Sequence, residues 1–146
     1  DAAIPLLDQA ITLKQSLARA HFFLGTALRT LGQYDEAMEH LQTPRAQYPR
    51  DRVVLGQIGR IQFLQRQYDD AIETFEAVLQ IDPEDLQAHY NLMLSHQGAG
   101  HPEAVARERT LYERFKADES AQAITGPFRL ASPEDNNERQ SIHEHR

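Results

Sequence analysis

The sequence predicts an all-α fold, a solenoid of stacked helical hairpins followed by an irregular C-terminal tail. Three observations predict it. Apolar residues recur at helical spacing along most of the chain, the chain repeats itself at an offset of 34 residues, and glycine and proline punctuate successive rows at matching places. At that offset Ala3, Ala37 and Ala71 share a column, as do Leu7, Leu41 and Phe75, and Leu24, Ile58 and Leu92. Gly25 pairs with Gly59, Tyr34 with Tyr68, and Pro49 with Pro83. One hairpin cannot bury its apolar face alone, whereas a stack shares a continuous core.

The elements follow in order. Residues 1–17 match the second helix of a truncated unit, with Ala3, Leu7 and Ala10 in their columns and no first helix before them. A second helix without its partner exposes an apolar face, so Ile4, Leu7 and Ile11 are a candidate self-association face. The chain therefore reads as the C-terminal part of a longer polypeptide, or as a unit that docks on another chain. Residues 18–51 form a full unit, with a helix from Ala18 to Leu31, a turn at Gly32 and a second helix from Tyr34 through Ala37, Met38 and Leu41. Pro44 lies in that second helix, where it deletes a donor and crowds the preceding turn, which predicts a kink or break near Gln42-Thr43. Residues 52–85 repeat the unit as Val53–Leu64 and Tyr68–Ile81, stopped by Asp82-Pro83. Residues 86–117 are a degenerate capping unit with helices Leu86–Gln97 and Glu103–Lys116 around a Gly98-Ala99-Gly100 turn. Met93 stands there where a small residue is expected, and the stretch Gly100–Ala104 runs one residue shorter than Gly32–Ala37. Gly25 and Gly59 are expected to face Ala37 and Ala71 so that helices approach closely, while Leu24, Ile58, Leu41 and Phe75 fill the wedge between them.

Residues 118–146 lose the period, and Gly126-Pro127 breaks the chain. Ser132-Pro133-Glu134-Asp135 is a good helix start, which predicts a short helix over 133–143. The tail is either frayed or an arm that folds back with Phe128 and Leu130 as anchors.

The columns carried by "HFFLGTALRTLGQYDEAMEHL", "AIETFEAVLQIDP" and "AHYNL" resemble the tetratricopeptide repeat over about residues 1–117. The resemblance implies a right-handed superhelix whose first helices line a concave groove that binds a protein or peptide segment. By column, the groove-lining positions are Arg19, Phe22, Thr26 and Arg29 in the first full unit, and Gln57, Arg60 and Phe63 in the second. The third supplies Gln87, Tyr90, Asn91 and Leu94, with Asn91 where the family commonly bonds a peptide backbone. The columns that clamp a C-terminal carboxylate in chaperone-binding arrays hold Phe22, Thr26, Gln57, Gln87 and Asn91, with no lysine, so that clamp is not expected. The tail, "RFKADESAQAITGPFRLASPEDNNERQSIHEH", more weakly resembles C-terminal ends of bacterial repeat proteins, some linked to multihaem cytochromes. That resemblance would imply an accessory module of an exported electron-transfer protein.

Composition narrows the function further. The 146 residues carry a formal charge of −7, with 15 Lys+Arg against 22 Asp+Glu, which disfavours nucleic acid because a phosphate backbone needs a basic surface. No apolar stretch approaches the ~20 residues of a membrane span. With no cysteine, thiolate metal sites, a cysteine nucleophile and covalent haem attachment are excluded within these residues. There is no glycine-rich phosphate loop, nucleophile elbow or HExxH, so a non-enzymatic role without a cofactor is expected. Of the seven histidines, His21 and His89 share a column and are expected to be packed or hydrogen-bonded. His143 and His145 flank Glu144 and are the candidate metal ligands of the tail. The leading expectation is a protein-interaction scaffold, and the alternative is a self-assembling subunit joined through the N-terminal face.

Overall fold

A computed structural model describes residues 3–124, with side chains from 6 to 123. Six helices follow one another: α1 Ala3–Thr30, α2 Tyr34–Gln47, α3 Arg52–Leu64, α4 Tyr68–Ile81, α5 Leu86–Ala99 and α6 Pro102–Ile124. No strand occurs among the described residues. The helices pair as hairpins α1/α2, α3/α4 and α5/α6, and the hairpins stack in chain order.

Local chemistry accounts for the ends. Asp51 caps α3 by accepting from the backbone N–H of Val53 and Val54, and Asp85, one repeat later, caps α5 by accepting from Ala88. α2 and α4 start without a side-chain cap but carry Asp35-Glu36 and Asp69-Asp70 in their first turns, where carboxylates meet the positive helix end. Each hairpin turns on one left-handed residue in the same column: Gly32 at φ 79°, Arg66 at φ 62° and Gly100 at φ 79°. The hydrogen bonds that close these turns also repeat, from Gln33 to Leu28, Gln67 to Gln62 and His101 to His96. Ala37, Ala71 and Val105 then bond back to Gln33, Gln67 and His101. The third turn is therefore as long as the others, and the one-residue shortening expected there is corrected: Val105, not Ala104, occupies the column.

The core follows the columns. Ala18, Phe22, Ala37, Leu41, Val54, Ile58 and Ile61 form one buried cluster across the first two hairpins. Ala71, Ile72, Phe75 and Leu92 form the next, and Leu55, Val78 and Ala88 a third. The close approaches at glycine are real but differ in partner. A Cβ on Gly25 would lie 2.8 Å from Leu41 Cγ, and one on Gly59 would lie 2.6 Å from Phe75 Cζ, so the glycines make room chiefly for the large residue of the facing helix. Leu24 does not fill a wedge. It is 47% exposed, whereas its column mates Ile58 and Leu92 are 1% and 2% exposed, because each of those packs on the hairpin before it and no described residue does the same for Leu24.

Four further expectations are corrected. α1 runs unbroken through the boundary placed after residue 17. The column that holds Pro49 and Pro83 holds Gln15 here, so nothing interrupts the backbone bonding. Pro44 does not end α2, which continues to Gln47; the proline sits in the last turn, fully buried, and its carbonyl accepts from Tyr48 N–H. Gly98 belongs to α5 rather than to a turn, and a Cβ on it would collide with the Tyr68 ring. α6 extends past Lys116 to Ile124. The expected helix at 133–143 and the anchors Phe128 and Leu130 lie outside the described residues.

Candidate functional site: a cleft between first helices

The first helices of the second and third hairpins diverge around a cleft of about 530 Å³. Val53, Gly56, Gln57 and Arg60 of α3 form one wall, and Gln87, Ala88 and Asn91 of α5 the other. Phe75 and Val78 of α4 contribute at its base. The geometry follows from the repeat: α3 and α5 are separated by α4, so their outward faces flank a furrow floored by the helix between them.

Polar groups are unevenly satisfied along this furrow. At one end Arg52 donates to Asp82 Oδ2 at 2.6 Å and Asp85 Oδ2 at 2.9 Å, which ties the start of α3 to the α4–α5 turn. Gln57 Oε1 is buried without a hydrogen-bond partner, an arrangement that costs about 1–3 kcal/mol unless a donor arrives. Asn91 is 7% exposed and faces the same space, and Arg60 is exposed at the rim. A wall with amide groups, an arginine and an apolar floor suits an extended backbone, whose N–H and C=O groups need partners at regular intervals.

A second hollow of about 540 Å³ adjoins it and shares Arg60 and Gln87. Leu86, Tyr90, Tyr112 and Glu119 complete its lining. The Tyr90 and Tyr112 rings lie 5.6 Å apart, and Lys116 Nζ stands 5.7 Å from the Tyr112 centroid. Together the two hollows make one furrow, and of the groove positions expected from the columns it is lined by Gln57, Arg60, Gln87, Tyr90 and Asn91.

The remaining candidates lie elsewhere. Phe22 is a core residue, 4% exposed. Phe63 packs half-buried on the Ala71–Phe75–Leu92 cluster, edge-on to Tyr68 at 5.7 Å. Leu94 is half-buried and lines neither hollow. On α1, Arg19 is exposed, Thr26 donates its hydroxyl to Phe22 O, and Arg29 is half-buried with its Nε unpartnered; none of them borders the furrow. Leu7 and Ile11 are 62% and 56% exposed on the first half of α1, and Ile4 lies in its first turns. Arg52 and Asp85 were not among the sequence-derived candidates. The aspartate cap column shared by Asp51 and Asp85 was available as a signal for one of them, whereas the pairing of Arg52 across 30 and 33 residues has none.

The histidines of the described residues contact one another or acceptors of the fold. His89 is buried between two acceptors, Glu108 Oε2 and Pro83 O, each at 2.7 Å from a ring nitrogen. Nε2 donates to the carbonyl, so one proton sits between Nδ1 and the carboxylate. His21 and His40 stack with Nδ1 atoms 3.0 Å apart, and His96 and His101 bring their Nδ1 atoms to the same distance with the rings inclined at 51°. Burial, then the neighbouring His101, lowers the pKa of His96 from the ordinary imidazole value of 6.5. Among the described residues no group of three or more potential metal ligands exists, and His143 and His145 lie outside them. Among the same residues no helix is long and apolar enough to cross a membrane.

Comparisons place this architecture. Residues 1–57 match a family model described as tetratricopeptide repeat, and residues 59–100 match another described as TPR repeat. Neither match reaches the tail. Two crystal structures of MamA superpose on the chain with TM-scores of 0.69 and 0.67, each at 21% identity. Each superposition covers 82% of this chain, and 70% and 66% of the two neighbours. No curated protein matches the sequence. The chain is thus an all-α array of tetratricopeptide-type hairpins, a fold used for protein interaction.

Proposed function

We propose that this array is a non-catalytic scaffold that holds an extended partner segment in the furrow between α3 and α5. The observation that carries the reading is the buried, unpartnered Gln57 Oε1 on a wall shared with Asn91 and Arg60. An extended peptide supplies the backbone donor that Gln57 lacks, and Asn91 bonds the same backbone from the opposite wall. Arg60 at the rim, with no ion-pair partner among the described residues, favours a segment carrying an acidic side chain, and Tyr90 and Tyr112 offer an apolar landing beside it. Arg52 takes no part in the recognition itself, because Asp82 and Asp85 already hold its guanidinium.

The test is selection from a displayed library of extended peptides, followed by titration of the enriched sequences against point variants. Asn91→Ala and Arg60→Ala should each weaken binding about tenfold, near 1.4 kcal/mol, without lowering the thermal midpoint. Enriched peptides should contain Asp or Glu. Selection that yields no binders, or binders indifferent to both substitutions, sinks the reading.

A further inference from the structure

Among the described residues, the outer face of α1 is an unpartnered helix seam. Leu6, Leu13, Leu17, Leu24 and Leu31 are 65%, 61%, 51%, 47% and 71% exposed. Ala10, Ala20 and Ala27, all exposed, fall between them. From Leu6 to Leu31 the spacing alternates strictly between four and three residues, the pattern that keeps one stripe facing a partner helix. No charged residue interrupts it.

The repeat columns say what such a stripe should meet. Ala20, Leu24 and Ala27 correspond to Val54, Ile58 and Ile61 of α3, which are 0%, 1% and 0% exposed. Those residues are buried in one cluster with Ala37 and Leu41 of α2, the second helix of the hairpin before. The column mates of Ala37 and Leu41, Ala3 and Leu7, lie beside the stripe in the first half of α1; on the stripe itself Ala10 is the column mate of Val78, which is buried with Ala88 of the next hairpin, the column mate of Ala20. One helix therefore carries both halves of an inter-repeat contact: a second-helix face before residue 15 and a first-helix face after residue 17. Because α1 is continuous, the two halves cannot fold onto each other within one chain.

We infer that two copies of this chain exchange these halves, with the α1 helices packed antiparallel about a two-fold axis near Gln15. Each first half then covers the second half of the other copy, and the contact made inside the array between α2 and α3 is re-created twice between chains. The heptad register gives the same axis independently. Centred on Gln15, the antiparallel pairing sets Leu6 against Leu24 and Leu13 against Leu17, with Ala10 against Ala20. Leucine thus meets leucine and alanine meets alanine along the seam. Such an exchange is isologous and closes at two copies. It uses none of the residues of the furrow, so it stands apart from the peptide-binding reading.

Sedimentation and light scattering of the 146-residue chain should give about twice 16.7 kDa. Leu13→Asp combined with Leu17→Asp should return it to a single chain that keeps the helical signal and thermal midpoint of the hairpins, since both side chains are exposed in the lone chain. The chain has no cysteine, so Leu6→Cys with Leu24→Cys reports the pairing directly. Oxidation should yield a covalent dimer on a denaturing gel. Adding Gln15→Pro, which restores the proline of the column, should break α1 and convert that cross-link to one within a single chain. A monomer at all concentrations overturns the proposal. So does an intrachain cross-link without the proline, which would mean that the helix folds back on itself, and so does a cysteine pair that fails to cross-link at all.

Discussion

Arg66 occupies the one position of the array where side chain and backbone disagree. Its column mates are Gly32 and Gly100, all three turn through the left-handed region, and only Arg66 carries a Cβ there. The left-handed conformation costs an L-residue about 1–2 kcal/mol, part of which is offset because glycine is freer in the unfolded chain. Arg66→Gly should therefore stabilise the array by about 0.5–1 kcal/mol in urea unfolding. A loss of stability would show that the Arg66 side chain makes a contact worth more than the strain. His96 makes a second test at this scale. Its pKa is lowered first by burial, then by His101 and Arg107, against smaller raising effects of Glu108 and Glu76. A base with a depressed folded pKa binds fewer protons folded than unfolded. Its contribution to stability is nil above 6.5 and becomes a penalty as pH falls through 6.5 to the folded value. The 3.0 Å contact with His101 sharpens this, because two protonated rings cannot share it. His96→Gln should flatten the fall in stability between neutral and mildly acidic pH, followed by denaturant midpoints at successive pH values. An unchanged slope would assign the acid sensitivity to other groups.

Helix pairs are held by polar ties as well as by apolar columns. The tie between α5 and α6 is the buried His89–Glu108 bond, its side chains 4% and 6% exposed, with Pro83 O on the other ring nitrogen. Removing one partner of a buried pair strands the other, at a cost of about 3–5 kcal/mol. Glu108→Ala should lose stability at the low end of that range, about 3 kcal/mol, because α6 packs on α5 alone among the described helices and water can enter as it loosens. Glu108→Gln should lose much less, since the amide donates to Nδ1 while Nε2 goes on donating to Pro83 O. Equal losses in the two variants would mean that the ionic charge, not the hydrogen bond, holds the helices. None of this was visible in the sequence. Column logic marked His89 as a packed residue, but its partner lies 19 residues away in a unit whose second helix had drifted from the family pattern. α1 shows the converse failure. The columns of Ala3, Leu7 and Ala10 argued for a separate second helix, and the column logic was sound about the face. It was silent about the hinge, where glutamine stands in place of proline.

At the scale of the array, the periodic features were legible and the rotational ones were not. Hairpin count, joints and the core columns follow from spacing, because every unit solves the same packing problem with the same residues. Which neighbouring position on a first helix faces the furrow and which faces the core is a matter of about 100° per residue, and Phe22 and Phe63 fell on the core side of that line. The same nearest-neighbour architecture makes stability local. Among the described residues, hairpin α3/α4 is covered on both sides, α5/α6 on one, and residues 6–17 of α1 are exposed at every position. A helix segment of that length is marginal in water on its own, so it is held only by continuity with residues 18–30 or by a partner on the seam. Hydrogen exchange followed by mass spectrometry on the monomeric Leu13→Asp/Leu17→Asp variant should therefore show a gradient. Amides of 6–16 exchange first, those of α5/α6 later, and those around Ile58 and Phe75 last, near the rate set by global unfolding. Uniform exchange across all helices would mean that the hairpins open as one cooperative unit, and the additive picture of the array would have to be abandoned.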